Sequence, residues 1–358
     1  MLPASCRVFV ATSDGGNGFG DKLTRYYMAA AVAARLSDDA LALYEGTWRV
    51  PTHHAASAAG EYEVALRDVL GLDAVRSVAS VRAELQPREV HAAPYAAARA
   101  ASAACRGVDG AHPPAAVLLL LEADSCPRWR RRWHRFFVDP PTRWCPLDAR
   151  VPGLETVAWR LRAAARPRIV HSLAQAGALS HFRADALNVA VHLRNGDICL
   201  DCDVTAGGFF RAVLHGLVLP ALAGCRVRTV FFAQDAAPWV AGLGDAVVTY
   251  RNASVAEVSR HFLGASVLVT SGSSLATAVV ALAPPFRPLV LEAMAKEATW
   301  GCHGRGCPGL SHVLPEGASV RLDRAGRAAA SPAELRALLQ LEQPDAWQRA
   351  CSPLRRVG

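Results

Sequence analysis

The feature that most constrains this chain is the run Asn188-Val-Ala-Val-His192-Leu-Arg194-Asn195-Gly196-Asp197. Asn188 to Leu193 is Val-rich, largely apolar and of strand length, and Gly196 lets the backbone turn out of a sheet. A buried strand therefore ends abruptly on a His, an Arg and an Asp. In an open α/β sheet the carboxyl end of a strand faces the ligand crevice. A guanidinium there suits a phosphate, because its fork donates two hydrogen bonds to neighbouring oxygens. Taken alone, the same residues also read as an Arg–Asp surface pair at a strand end. The rest of the chain decides between the two.

From Leu187 onward, short apolar runs alternate with helix-length segments. A strand ends at His192, a helix runs near Phe209 to Leu222, and Val227 to Phe232 is a strand. Val247 to Tyr250 is another strand, Val255 to Leu263 a helix, Ser266 to Thr270 a strand, and Ser271-Gly-Ser-Ser274 opens the next helix. Leu289 to Leu291 is a short strand and Glu334 to Leu341 a terminal helix. This alternation implies right-handed crossovers and a mostly parallel sheet. The amino-terminal part begins the same way. Arg7 to Ala11 reads as a strand, Thr12 to Gly20 as a glycine-rich loop, and Asp21 to Leu36 as a helix opened by Asp21. Leu41 to Tyr44 is a candidate second strand and Val117 to Leu121 a buried one, while residues 53 to 114 are Ala-rich and their periodicity is faint. Leu154 to Ala165 and Ile169 to Leu179 read as two helices.

The chain has 358 residues, more than one hydrophobic core usually serves, so two domains are expected. Their bounds are 1–166, carrying a Trp- and Arg-rich insertion near 126–145, and 167–358. The fold class is α/β, with two Rossmann-like domains facing each other across a cleft. Apolar content of 52% beside 20% charged residues excludes a disordered chain. A formal charge of +8 favours anionic partners. Nucleic acid is disfavoured, since no sustained basic face, zinc-finger spacing or RNA-binding aromatic signature is present.

Three further segments carry polar groups to loop positions. Gly15-Gly16-Asn17-Gly18-Phe19-Gly20-Asp21 offers backbone amides before a helix, which attract anions. Its Gly16, Gly18, Gly20 spacing is wrong for a dinucleotide fingerprint, and no Gly-Lys-Ser/Thr is present for a P-loop. Val230-Phe-Phe-Ala-Gln234-Asp235 delivers an amide and a carboxylate to another strand end. Thr270-Ser271-Gly-Ser273-Ser274 sets hydroxyls and amides between a strand and a helix, as a phosphate cradle or as an ordinary N-cap. Three strands of one domain thus end in polar groups on one rim, as a nucleotide site requires.

In this order the motifs resemble the fucosyltransferase superfamily: the alpha-1,2-, alpha-1,6- and nodulation fucosyltransferases and the protein O-fucosyltransferases. His192-Leu-Arg194-Asn-Gly-Asp197 looks like the H-x-R-R-x-D motif, and Phe231 to Trp239 like the strand before "(S/T)DD-x-x-W". Val267 to Ser274 looks like the late Ser-rich loop, and Gly15 to Gly20 like the "GG-x-G-N-Q" loop. The resemblance covers residues 5–36 and 187–283. It implies a GT-B-like fold, a GDP-fucose donor in the carboxyl-terminal domain, a glycan or glycoprotein acceptor, and inverting transfer with no metal or other cofactor. By that resemblance Arg194 pairs with the β-phosphate, a preorganised charge worth on the order of 3 kcal/mol to the barrier. His192 and Asp197 orient the loop and contact the nucleotide, Asp235 meets guanine or ribose, Ser273 and Ser274 meet the phosphates, and Gln234 and Ser271 complete the donor-binding set. Two positions depart from the pattern. Asn195 replaces the motif's second Arg, and Phe19-Gly20 replaces the Asn-Gln pair. An inverting transferase also needs a base within reach of the acceptor hydroxyl. Asp14 and Asp21 are the candidates. A rival from another class is a non-catalytic nucleotide- or glycan-binding protein on the same scaffold. A third reading is a nucleic-acid or membrane-surface binder acting through the basic 126–145 segment.

The ten cysteines permit an oxidising compartment without requiring one. The Golgi or ER lumen is expected if an amino-terminal anchor precedes this sequence, and the cytoplasm otherwise; the sequence shows no signal peptide and no transmembrane-length apolar run. The Asn252-Ala253-Ser254 sequon matters only in the lumenal case. Cys199-x-x-Cys202 with Cys302, His303 and Cys307 offers zinc-type ligands. The wide separation and lack of a second CxxC favour a disulfide between these loops, or free thiols. Cys126 to Cys145 invites the same disulfide reading.

Overall fold

The computed structural model describes residues 6–12, 19–37, 39–44, 61–72, 76–92, 96–106, 114–121, 154–175, 177–193, 208–233, 240, 247–251, 253–270, 274–283, 287–293, 319–322, 327–328 and 330–351. They form two units, each built on an all-parallel sheet. In the first, β1 (Arg7–Thr12), β2 (Leu41–Ala42), β3 (Arg88–Ala92) and β4 (Ala116–Leu121) lie in the order β2-β1-β4-β3. Val117, Leu119 and Leu121 of β4 face one side and Leu118 and Leu120 the other, and all are buried, as a strand covered on both faces requires. Ala29, Val32 and Ala33 of α1 (Phe19–Leu36) and the buried alanines of α4 (Ala97–Cys105) cover the first side. Val78 and Val81 of α3 (Val78–Leu85) cover the second.

The second sheet holds β5 (Leu187–Leu193), β6 (Val227–Ala233), β7 (Val247–Arg251), β8 (Val267–Thr270), β9 (Leu289–Ala293) and β10 (Ser319–Leu322). Their order is β10-β9-β8-β5-β6-β7. The first strand of the unit is therefore central. Two successors lie on one side and three on the other, which is the doubly wound arrangement. One face is covered by α6, which runs Gly208–Val213 and continues through a π-helical stretch, Leu214–Val218, to Leu219–Ala221, and by α9 (Pro332–Glu342) and α10 (Pro344–Cys351). The other face packs under α7 (Val255–Gly264) and α8 (Ser274–Val280). Local chemistry sets the helix starts. Ser254 caps α7 by accepting from Glu257 N at 3.2 Å, and Ser331 and Glu334 form a reciprocal capping box on α9.

The structure moves several expected boundaries. α1 begins at Phe19, so Gly20 and Asp21 lie in its first turn rather than in the preceding loop. The two helices expected around Pro167 are one, α5 (Leu154–Ala174). Proline removes one hydrogen bond, but Ala163 and Pro167 are both exposed, so water can serve the freed carbonyl. Ala165 and Ile169 on the opposite side are fully buried, and Leu161 and Leu173 pack beside them, so burial of this stripe holds α5 together. α5 thus runs across positions 166 and 167, where the sequence divides the chain.

The two units share a core. Phe19, Leu23, Tyr26 and Tyr27 of α1 join one apolar cluster with α7, α8 and the second sheet. So do Leu66 and Val69 of the π-helical stretch Ala65–Val69 that continues α2 (Glu61–Val64). Within this seam the Tyr27 hydroxyl donates to the Ala278 carbonyl at 2.8 Å, and Arg162 Nε donates to Ala281 O at 2.7 Å.

Candidate functional site

Chain order reverses in the second sheet at β5, which lies between β6 and β8. The carboxyl ends of these strands are level, because His192 is in register with Phe232 on one side and Thr270 on the other. Leu193, Ala233 and Thr270 are the last strand residues, and in the sequence Arg194, Gln234 and Ser271 come next. Such a switch point is where open α/β sheets bind ligands. In the first sheet, β1 has the matching position between β2 and β4, and the glycine-rich segment follows it. The helix after β1 (α1) packs on the helix after β8 (α8), so the helices leaving the two switch points meet in the shared seam.

Of the expected site residues, Asp14, Gly16, Gly18, Arg194, Asp197, Gln234, Asp235, Ser271 and Ser273 lie outside the described residues, as does the 126–145 segment with Cys126 and Cys145. Cys199, Cys202, Cys302, His303, Cys307 and Asn252 lie outside them too. Gly20 and Asp21 are placed in the first turn of α1, and Ser274 is the first residue of α8. At seven residues α8 is too short to bring a strong dipole to the loop before it.

His192 is placed most fully. It sits in the last row of the β5–β8 ladder on the face covered by α7, with its ring edge-on to Phe262 at 5.2 Å between centroids. Phe262 in turn meets Phe232 edge-on at 5.9 Å, so aromatic packing fixes the imidazole's side of the sheet.

Two further polar residues are buried: Thr270, which the sequence reading placed in the Ser-rich segment, and Lys22, which it passed over. Thr270, level with His192, is fully buried, and its Oγ1 has no hydrogen-bond partner among the described residues. Lys22, on the first turn of α1, is only 6% exposed. It falls at helical spacing among Phe19, Leu23, Tyr26 and Tyr27, on the stripe that forms the seam. That spacing is the signal that could have singled it out. Burial keeps the neighbouring Tyr26 and Tyr27 hydroxyls protonated, raising both above their ordinary range. Among the described residues no three His, Cys, Asp or Glu side chains are grouped to hold a metal, and no helix is long and apolar enough to cross a membrane.

No family model matches the chain, and no curated protein does. Among solved structures, the E. coli heptosyltransferase WaaC with ADP-2-deoxy-2-fluoro heptose is 12% identical, with a TM-score of 0.36, over 95% of this chain and 99% of that one. The spinosyn forosaminyltransferase SpnP is 11% identical, with a TM-score of 0.30, over 97% of this chain and 93% of that one. Likeness at this level fixes neither fold nor activity here. Both readings rest on the chain's own topology and residues.

Proposed function

We propose that this chain is an inverting, metal-independent glycosyltransferase that moves fucose from GDP-fucose to a hydroxyl of a glycan or protein. The observation that carries the reading is that β5, the strand that ends in His192-Leu193 immediately before Arg194 in the sequence, lies at the switch point of a doubly wound sheet. In the proposed reaction Asp21 or Asp14 takes the proton of the acceptor hydroxyl, whose oxygen attacks the anomeric carbon as the bond to the β-phosphate breaks. Arg194 stabilises the departing diphosphate. The pairing of Cys6 with Cys105 and of Cys225 with Cys351 supports an oxidising compartment such as the Golgi or ER lumen.

Thermal-shift titration with GDP, UDP, ADP and GDP-fucose, on wild type and Arg194→Ala, tests the donor site. Selective stabilisation by the GDP compounds is expected, weakened roughly tenfold or more in the variant. No response to any nucleotide overturns the reading. Asn195, which removes a positive charge from the motif, gives the binding-protein alternative its one specific support. GDP binding without release of fucose to any acceptor, or to water, would select that alternative.

A further inference from the structure

We infer that Tyr27 and Arg162 are positioning residues: from α1 and α5 they set how far α8 stands along its own axis, and with it where the donor loop ends. The inference rests on the nucleotide-sugar reading for what that loop holds. α8 starts at Ser274, and only three residues separate it from Thr270, the last residue of β8. β8 is fixed between β5 and β9, so a shift of α8 along its axis is taken up by that short connection.

The packing of α8 does little to prevent such a shift. Helices resist sliding where the ridges of one enter the grooves of the other. The buried side chains of α8 are Ala276, Ala278, Val279 and Val280, which raise only low ridges. Hydrogen bonds supply the stop instead. The amides of Leu282 and Ala283 donate to Val279 O and Val280 O at 3.2 and 2.9 Å, within the chain's own turn. Ala278 O accepts from the Tyr27 hydroxyl at 2.8 Å, and Ala281 O, one residue past the helix, accepts from Arg162 Nε at 2.7 Å. Polar side chains commonly satisfy the last carbonyls of a helix, but here both donors come from other elements. Tyr27 is on α1 and Arg162 on the first half of α5. The Tyr27 hydroxyl is buried and stays protonated, so it donates throughout the working pH range. α1 opens with Phe19, Gly20 and Asp21, so this bond ties the helix after the first switch point to the helix after the second. Asp21 as a candidate base and Ser274 as a donor-binding residue are thereby held in register by a bond that touches neither.

Wild type, Tyr27→Phe, Arg162→Met and Arg162→Lys, titrated with GDP and with guanosine at a temperature where all four are folded, provide the test. Tyr27→Phe and Arg162→Met should each weaken GDP about three- to tenfold and leave guanosine unchanged, because the displaced loop is the one proposed to meet the phosphates. Arg162→Lys keeps a donor for Ala281 O and should bind GDP within about twofold of wild type. Lower melting temperatures with unchanged GDP affinity would reduce the two bonds to staples and overturn the inference, with the donor site left standing. Equal weakening of GDP and guanosine would show a general loosening and overturns it as well. A Lys variant as weak as the Met variant overturns the part assigned to Arg162. Wild type that binds no GDP removes the nucleotide-sugar reading, and the inference with it.

Discussion

His261 shows how one residue can tie stability to pH. It is fully buried on α7, ringed by His181, Phe182 and Phe232 at 4.8–5.5 Å between centroids. Its Nδ1 lies 2.8 Å from the Glu257 carbonyl and its Nε2 3.4 Å from the His181 backbone amide. One nitrogen therefore donates and the other accepts, which describes a neutral ring. Burial lowers its pKa from the ordinary 6.5, and the nearby His181 and Arg260 add to that, against the opposing pull of the Glu257 carbonyl and carboxylate. A base depressed in the folded state takes its proton more readily once unfolded. Its contribution is complete above pH 6.5 and is lost as pH falls below it towards the lower folded value. Denaturation between pH 7.5 and 5 is expected to lose up to about 1.4 kcal/mol per pH unit from this group. His261→Gln should flatten that slope, and an unchanged slope would assign the acid sensitivity elsewhere.

At the scale of elements, the contact of α2 with α5 depends on one glycine. Gly71 follows the π-helical stretch at φ +67°, and a Cβ there would meet Arg168 Cβ at 2.7 Å and Ala165 O at 2.9 Å. The obstacle is a helix backbone, which cannot swing aside. Gly71→Ala should cost about 2–3 kcal/mol, combining left-handed strain with overpacking, and urea denaturation would read it as a lower midpoint. A loss within 0.5 kcal/mol would show that α5 yields. The same elements mark what the sequence could and could not reveal. β5, β6 and β8 were legible because a strand covered on both faces is written as a continuous apolar run. Residues 61–105 were not, since alanine fills core and surface alike and π-helical turns break the 3.6-residue period. Pro167 read as a break because the buried stripe that outweighs it is a tertiary fact. The rim at β5, β6 and β8 followed from strand ends alone. Lys22 escaped notice because a Lys in a polar-looking first turn reads as solvated, and only its helical spacing among Phe19, Leu23, Tyr26 and Tyr27 marks it as part of the seam.

At the scale of the whole molecule, covalent staples and the shared core act at different levels. All four cysteines among the described residues are paired. Cys6–Cys105 ties the start of β1 to the end of α4, within the first unit, across 99 residues. Cys225–Cys351 ties the approach to β6 to the end of α10, within the second unit, across 126 residues. Closing loops of this size removes chain entropy from the unfolded state worth about 4–5 kcal/mol each. Neither bond crosses between the units. Their union rests on the seam of Phe19, Leu23, Tyr26 and Tyr27 against α7 and α8, an apolar core rather than a wet interface. Unfolding either unit would expose that core, so the two should melt together even though each carries its own staple. Calorimetry of the Cys225→Ser/Cys351→Ser variant is expected to show one transition, shifted several degrees downward as a whole. Two separated transitions, with only the lower one moved, would show that the seam holds the units side by side without coupling them. The Tyr27→Phe variant then reads the seam directly. It leaves the Ala278 carbonyl without its donor, at a cost of about 1–2 kcal/mol, and should lower the same single transition if the coupling is real.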